Sequence, residues 1–484
     1  MAATTLPRFA MFYSGNWGRY VSYMSDEGGE FNQILKVSAR KVSNPRSRFE
    51  VEPSNVHPTM VHIRSCYDNK YLRRRSEEEW WIVAAADSPN DDQSSWSSTL
   101  FQPEFVTSAG LISVRLLHFQ LGQYAQWYDN MSHPYHMCIW AASKDAANPD
   151  PTTLFEVVDW ESLVILPKHL AFKSNNDLYL GVVGGDDVGS DQGLLQFQIG
   201  DVGDKSVENI VDTRIDGTVR ITNISLDAFW MLRGENFIWA NGKSILAPVP
   251  ESLFRPTKVN ENTIALQNLG NNLLCKRYTN DEVKDGLNAM ESELTDYTNL
   301  ILTELVTSRT ITDIKFHLNY GRIYNTQDIR LNPGITVQNE TEETQTLEVK
   351  IPYKNIKTST WTAINSSGLK LGPTVNIQPA QVPHISDDSA IEMIDDPFEY
   401  LWGEMVSKEA MEVKVYGLTL PPSSMVIVRL WAKVASCDVP LTYTRKDVLD
   451  ESTKEEEVYI MEDGVYTGTN YFELEVTVTP PQPW

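Results

Sequence analysis

Two imidazoles stand three residues apart in His133-Pro134-Tyr135-His136, the spacing nearest to a metal-ligand pair in this 484-residue chain. Pro134 forbids the helical turn that would aim both rings at one ion, and no carboxylate or cysteine at ligand spacing completes a tetrahedral set. Both histidines read as structural. Gly184-Gly185-Asp186-Asp187-Val188-Gly189-Ser190-Asp191 has the composition of a calcium loop but lacks the terminal bidentate glutamate, so it reads as a hairpin turn. Neither a G-x-S-x-G elbow nor a phosphate-binding P-loop occurs. Cys66, Cys138, Cys275 and Cys437 are scattered with no C-x-x-C among them, and read as small buried residues of a reducing compartment. Carboxylates are abundant, yet nothing marks two of them as a glycosidase pair. The expectation is no enzyme, no metal and no cofactor.

Charge narrows the partners. Lys and Arg number 41 against 65 Asp and Glu, a net −24, and each third of the chain is acidic. A nucleic-acid binder needs a phosphate-neutralising face, and electrostatic attraction to anionic lipid needs one too. Neither is expected, so membrane contact would need a specific ligand or apolar surface. No run of 18 apolar residues suggests a transmembrane helix. The opening Met1-Ala2-Ala3-Thr4-Thr5-Leu6-Pro7-Arg8 lacks the charged and apolar regions of a secretory signal, which predicts a cytoplasmic or nucleocytoplasmic protein.

The elements that must position any site are repeated. Leu6-Pro7-Arg8-Phe9 to Ser14-Gly15-Asn16 returns as Leu166-Pro167-Lys168-His169 to Ser174-Asn175-Asn176, and Leu100-Phe101-Gln102-Pro103 returns as Leu253-Phe254-Arg255-Pro256. Two copies of about 155 residues follow, with a boundary near Asp159–Val164. Each copy divides again. Tyr13–Tyr23, Ile63–Arg73 and Leu116–Tyr128 each run from an apolar strand through a small polar loop to Tyr20, Tyr71 or Tyr124. Tyr179, Phe229 and Leu274 are the counterparts in the second copy. Three hairpin units of about 50 residues suggest a threefold β-barrel, the β-trefoil. Helical signals are weak, and Glu291–Leu305 fits a helix or a strand equally well.

Several gapless motifs then resemble the amaranthin-type agglutinins of plants. They are Phe49-Glu50-Val51-Glu52-Pro53-Ser54, Val61-His62-Ile63-Arg64-Ser65, Asn69-Lys70-Tyr71-Leu72, and Leu116-Leu117-His118 with Gln120-Leu121-Gly122. The second copy adds Phe172-Lys173-Ser174-Asn175-Asn176, Tyr179-Leu180-Gly181-Val182 and Lys276-Arg277-Tyr278-Thr279. The resemblance covers roughly residues 5–305. It implies two tandem trefoils, recognition of N-acetylgalactosamine in Gal–GalNAc glycans, and dimers that share the sugar site between subunits. One half of that site would lie after Tyr71-Leu72-Arg73-Arg74-Arg75-Ser76, in Glu77-Glu78-Glu79-Trp80-Trp81. Glu78 and Glu79 stand where the family carries an Asn-His pair. The other half would include Gln198. Carboxylates accept sugar hydroxyls and indoles stack on pyranose C–H faces, so Glu78, Glu79, Trp80, Trp81 and Gln198 are the expected glycan residues. Strand alternation would turn one tryptophan inward and the other out. The arginine run reads as a self-neutralising solvated loop.

Beyond residue 305 the pattern changes to long, β-branched, alternating strands, among them Arg309–Leu318, Glu343–Lys357, Met425–Val434 and Tyr471–Val478. Their order resembles the aerolysin-type pore-forming module that plants fuse to such lectins. The expected architecture is therefore all-β: trefoils over 1–160 and 161–305, then an elongated aerolysin-type sheet domain over 306–484. In such modules a period-two segment between two long strands refolds into a barrel hairpin, because a closed barrel satisfies its backbone groups in lipid. Here Leu369, Leu371, Val375 and Ile377 alternate with polar residues, Ile391 and Met393 alternate on the returning side, and Asp387-Asp388 suits the turn. Pro373, Pro379 and Pro383 oppose a continuous strand. The functional expectation is a glycan-binding lectin that homo-oligomerises and inserts these hairpins into a membrane in defence or stress. The rival is an intracellular glycan-binding signalling adaptor in which the third domain only scaffolds.

Overall fold

The computed structural model describes residues 5–24, 29–108, 111–144, 149–182, 193–243, 248–364, 368–450 and 455–483. They contain β-strands and short 3-10 turns, with no α-helix among the described residues. The chain divides into two compact units. One comprises Met1–Ser308 with Asn365–Pro373 and Asp447–Glu457; the other comprises Arg309–Ile364, Thr374–Lys446 and Val458–Trp484.

In the first unit the repeat becomes two closed barrels. Strands Phe9–Ser14, Phe49–Pro53, Val61–Ser65, Leu100–Ser108, Leu111–His118 and Phe155–Asp159 pair antiparallel in a ring that returns to its first member. His169–Lys173, Asn209–Thr213, Val219–Asn223, Phe254–Lys258, Thr263–Asn268 and Leu300–Glu304 close a second ring in the same order. Both are β-trefoils. Leu300–Glu304 is a strand, which settles the ambiguous Glu291–Leu305 stretch.

Each ring carries three further hairpins, and each begins at one of the repeated residues. Tyr20, Tyr71, Tyr124, Tyr179, Phe229 and Leu274 face Tyr13, Arg64, Leu117, Lys173, Thr222 and Gln267 across a tight turn. Immediately after each of the six, the next pairing shifts register in a β-bulge. A bulge bends its strand and sharpens the local twist, so a bulge at this step swings every hairpin away from the barrel wall. In the first trefoil the three hairpins meet through bridges Ile34–Val83, Trp81–Trp140 and Lys36–Cys138. The second core centres on Phe172, Phe197, Trp230 and Phe254, all fully buried. The Trp230 Nε1–H donates to Asn209 Oδ1 at 3.0 Å, so the indole loses no hydrogen bond on burial.

The second unit takes residues 424–446 and 458–478 of two very long strands, Ser424–Asp450 and Glu455–Val478, in a sheet that also contains Ser308–Phe316 and Gln345–Ala363 and ends at Val406–Leu420. One core packs Val349, Ile351, Leu418 and Leu420 against Val426, Val428 and Leu430. The other gathers Trp361, Ile377, Ile385, Tyr400, Val439, Leu441, Tyr466 and Phe472.

Candidate glycan loop and candidate insertion hairpin

The loop between strands Tyr71–Arg74 and Ile82–Ala86 is shaped by a buried cation. Arg74 is 3% exposed. Its guanidinium donates to Gln120 Oε1 at 2.8 Å, to the Glu79 carbonyl at 3.4 Å, and to the Glu77 carbonyl. Ser76 Oγ accepts from the Glu78 and Glu79 amides at 3.3 and 3.2 Å and donates to Glu78 Oε2 at 3.1 Å. Arg75 donates to Tyr135 Oη at 2.7 Å and lies 3.5 Å from Glu79 Oε2. Arg73 lies over the Trp96 ring. The expected solvated arginine run is thus corrected: Arg74 is an interior strut, its planar fork of N–H donors tying two carbonyls and an amide oxygen at once.

The strut sets the aromatic residues. Trp80 is 42% exposed and lies nearly parallel to Trp140, ring centres 6.3 Å apart. Trp81 turns the other way, stacks on Tyr135 at 4.5 Å and meets Tyr128 edge-on at 5.5 Å. Backbone bonds from Ala141 N to Trp80 O and from Arg75 N to Trp81 O pin both, at 2.9 Å each. The result is one open indole face beside two exposed carboxylates, Glu77 and Glu78, with Glu79 turned back toward Arg75. Such a face can stack a pyranose while the carboxylates accept its hydroxyls. Gln198 lies on the second trefoil, where its amide donates to the Lys284 carbonyl at 2.9 Å. Within this chain Glu78, Glu79, Trp80 and Trp81 form one loop, and Gln198 belongs to another barrel.

His133 packs between Tyr128 and Tyr135, whereas His136 meets Trp17 edge-on. The Gly184–Asp191 loop lies outside the described residues. Three cysteines are buried and Cys66 is half-buried, and none of the four is in a disulfide. Burial pushes the Cys138 thiol up to about 11 and the Cys437 thiol up to about 12.

In the second unit, Gln345–Ala363 and Val406–Leu420 pair in unbroken register from Gln345–Leu420 to Ser359–Val406. The 46 residues from 360 to 405 therefore join the two paired stretches, the first four still continuing Gln345–Ala363 against Glu455–Val478. Gln381–Ile385 and Ile391–Asp395 pair within this excursion, and the polar turn between them holds Asp387-Asp388. Val375 and Ile377 are buried in the sheet's own core, Ile391 packs at its margin, and Met393 is half-buried. Leu369 and Leu371 instead pack against the core of the second trefoil, within the first unit. There Lys370 N donates to Glu261 O at 2.6 Å, its Nζ meets Glu261 Oε1 at 2.9 Å, and Lys258 Nζ donates to Gly368 O at 2.6 Å. The continuous alternating strand expected over Leu369–Ile377 is thus not formed. Gly368 and Gly372 adopt positive φ, and Pro373 follows without an N–H, so the ladder begins only at Asn376.

Residues that sequence reasoning missed hold the hairpin 381–395 down. Asn470, 4% exposed, accepts from Ile385 N at 3.1 Å and donates to Ile385 O at 2.9 Å, Tyr471 O at 3.1 Å and His384 Nε2 at 3.3 Å. Glu473 N donates to Asp387 Oδ1 at 2.7 Å, and Ser389 Oγ donates to Glu473 Oε1 at 2.8 Å.

The comparisons place the barrels in a family. The Agglutinin domain model matches residues 4–159 and again 164–304, more than half of the chain. The chain belongs to the agglutinin-domain family. No curated protein matches it. Among solved structures it is similar to a mosquitocidal holotoxin, at 10% identity and a TM-score of 0.29, over 61% of this chain and 33% of that one. It is also similar to the lamprey immune protein, at 12% identity and a TM-score of 0.29, over 78% of this chain and 90% of that one. The chain spans about a third of the length of the holotoxin chain it matches. In the first agglutinin domain, Arg74, Tyr135 and Trp140 are the supporting residues that the loop sequence alone did not reveal. The only signal for Trp140 was its place in the third hairpin of the repeat.

Proposed function

We propose that this agglutinin is a glycan-binding protein whose C-terminal sheet oligomerises and inserts the 360–405 excursion into a membrane as part of a β-barrel. The observation that carries this reading is the register of the stowed hairpin. It pairs Ile385 with Ile391, Pro383 with Met393 and Gln381 with Asp395, odd residue to odd residue. Extended in the same register, one face collects Leu369, Leu371, Val375, Ile377, Ile385, Ile391 and Met393 with the polar pair Gln381–Asp395. The other collects Lys370, Thr374, Asn376, Gln378, His384 and Glu392 with the apolar pair Val382–Ile394. The apolar residues are weighted to one face, which is the bias a barrel stave needs. About the turn centred on Asp388 the excursion has 28 residues before and 17 after, and about 10 per strand cross a bilayer. The glycan loop supplies the address: Gal–GalNAc-type sugars bound at Glu78, Glu79 and Trp80, with Gln198 of a second subunit, raise the local concentration at which the sheets meet.

The test is dye release from vesicles bearing a terminal Gal–GalNAc glycolipid, against the same vesicles without sugar. Sugar-dependent leakage is expected; binding without leakage removes the pore, and neither removes both. A second reading, an intracellular glycan-binding adaptor whose sheet only scaffolds, is favoured by one observation. Val375, Ile377 and Ile385 are already well packed. That reading expects binding and no leakage under any condition.

A further inference from the structure

Strand Val406–Leu420 presents Met411, Val413 and Val415 on one face, 73, 56 and 51% exposed. It ends its sheet, laddered on one side to Gln345–Ala363 along its whole length. Its other edge is therefore a long row of backbone donors and acceptors. Proteins usually blunt such an edge with charged side chains, proline, a bulge or a break. This strand has no proline, its register is unbroken, and its charges, Lys408, Glu409, Glu412 and Lys414, are of both signs.

We propose that this edge pairs antiparallel with the same edge of a second copy of the chain, about a two-fold axis through Val413. An axis normal to the sheet keeps each residue on the same face in both copies, so permitted registers differ by two residues. With Val413 on the axis, Met411 faces Val415 of the partner subunit and Val415 faces Met411 of the partner subunit. The exposed apolar row becomes continuous across the junction. On the other face Glu412 meets Lys414 of the partner subunit, and Lys414 meets Glu412 of the partner subunit. Sliding two residues one way sets Glu412 against its own copy, and two residues the other way sets Lys414 against its own copy. Like charges directly opposite destabilise a strand pair, so charge selects the Val413 register. Glu412 is held in place for this role. Tyr353 Oη and Asn355 Nδ2 donate to its two oxygens at 2.5 and 2.7 Å, and these bonds keep its carboxyl below the usual range. Lys414 is exposed.

The dimer has a consequence that rests on the proposed function. Val406–Leu420 flanks the insertion segment, so pairing its edge occupies the place where a ring of sheets would add the next subunit. The dimer is then a resting form that must separate first.

The test uses the full chain. Val413→Cys is expected to give a disulfide-linked dimer under mild oxidation, while the parent, with three buried cysteines and a half-buried Cys66, does not. Glu409→Cys is expected not to cross-link, because it faces Gly417 of the partner subunit and its own copy sits eight residues away, about 27 Å. Lys414→Glu should cut the yield of the Val413→Cys disulfide about tenfold, and adding Glu412→Lys should restore it. A monomer at every concentration overturns the proposal. So does a dimer that survives Lys414→Glu and gives no Val413 disulfide. Neither readout depends on vesicle leakage, so failure of the pore reading and failure of the dimer are distinguishable.

Discussion

Asn470→Ala should release the insertion hairpin. The side chain meets both the N–H and the C=O of Ile385, a residue with no solvent exposure, so truncation leaves two buried backbone groups without partners. Each such orphan costs about 1–3 kcal/mol, giving about 2–6 kcal/mol against the docked hairpin. At about 1.4 kcal/mol per decade, the docked fraction falls relative to the released one by roughly 30-fold to 10⁴-fold. The direct assay is amide hydrogen exchange of residues 381–395 by mass spectrometry, paired with the lag before dye release from glycolipid vesicles. Exchange should quicken across the hairpin and the lag should shorten. Asn339→Ala is the matched control. Asn339 is 1% exposed and donates to the Glu343, Leu420 and Pro421 carbonyls, well away from the hairpin in the same unit. It should lower Tm while leaving hairpin exchange and lag unchanged. The reasoning is refuted if Asn470→Ala leaves 381–395 protected, or if the two variants lose stability alike and change leakage alike.

Four further outcomes are expected. Burial, with Lys357 adding to it against an opposing Asp387, lowers His384 to about 4. A depressed histidine stabilises docking above its unfolded pKa of about 6.5 and loses that contribution as pH falls toward 4, so leakage should rise on acidification and His384→Gln should flatten the profile. In the first trefoil, burial raises Asp68 to about 7 and lowers His118 to about 4. Between pH 4 and 6.5 the native Asp68 holds one extra proton and the native His118 one fewer, so their slopes cancel. Asp68→Asn should uncover a rise in stability of about 1.4 kcal/mol per pH unit across that window, read by urea unfolding of the full chain. Trp80→Ala should cost about 1 kcal/mol of glycan affinity on an array without moving Tm, whereas Trp81→Ala should lower Tm because Trp81 packs on Tyr135. Met393→Asp should abolish leakage and leave glycan binding intact, since a charge on the lipid face of a stave is penalised.

The trefoils were readable because the same physical event recurs six times. A tyrosine or its apolar equivalent opens each hairpin just before a bulge, and a fixed bulge fixes a spacing that survives as sequence period. The outward Trp80 and inward Trp81 follow from strand alternation alone. Arg74 was misread because a run of arginines beside glutamates looks solvated; its three acceptors come from backbone and from Gln120, 46 residues on. The alternating Leu369–Ile377 stretch was legible as amphipathic, but two glycines and a proline divide it between two cores, and only packing decides that. Asn470 was not legible at all, because its partner lies 85 residues away in sequence.

That separation has a consequence for how the chain is made. The surface that receives Leu369 and Leu371 is built from residues 164 to 302 and exists before these leucines emerge from a ribosome. The surface that receives Val375, Ile377 and Ile385 is built largely from Ala435 to Phe472, and the Asn470 clamp comes nearly last. At roughly 5–20 residues per second, about 4–17 s pass between the synthesis of Ile385 and that of its clamp. For that interval the apolar half of the segment is bare on every nascent chain. A chaperone is expected to cover it there, and a message cut short before Glu455 yields a protein that never stows its hairpin.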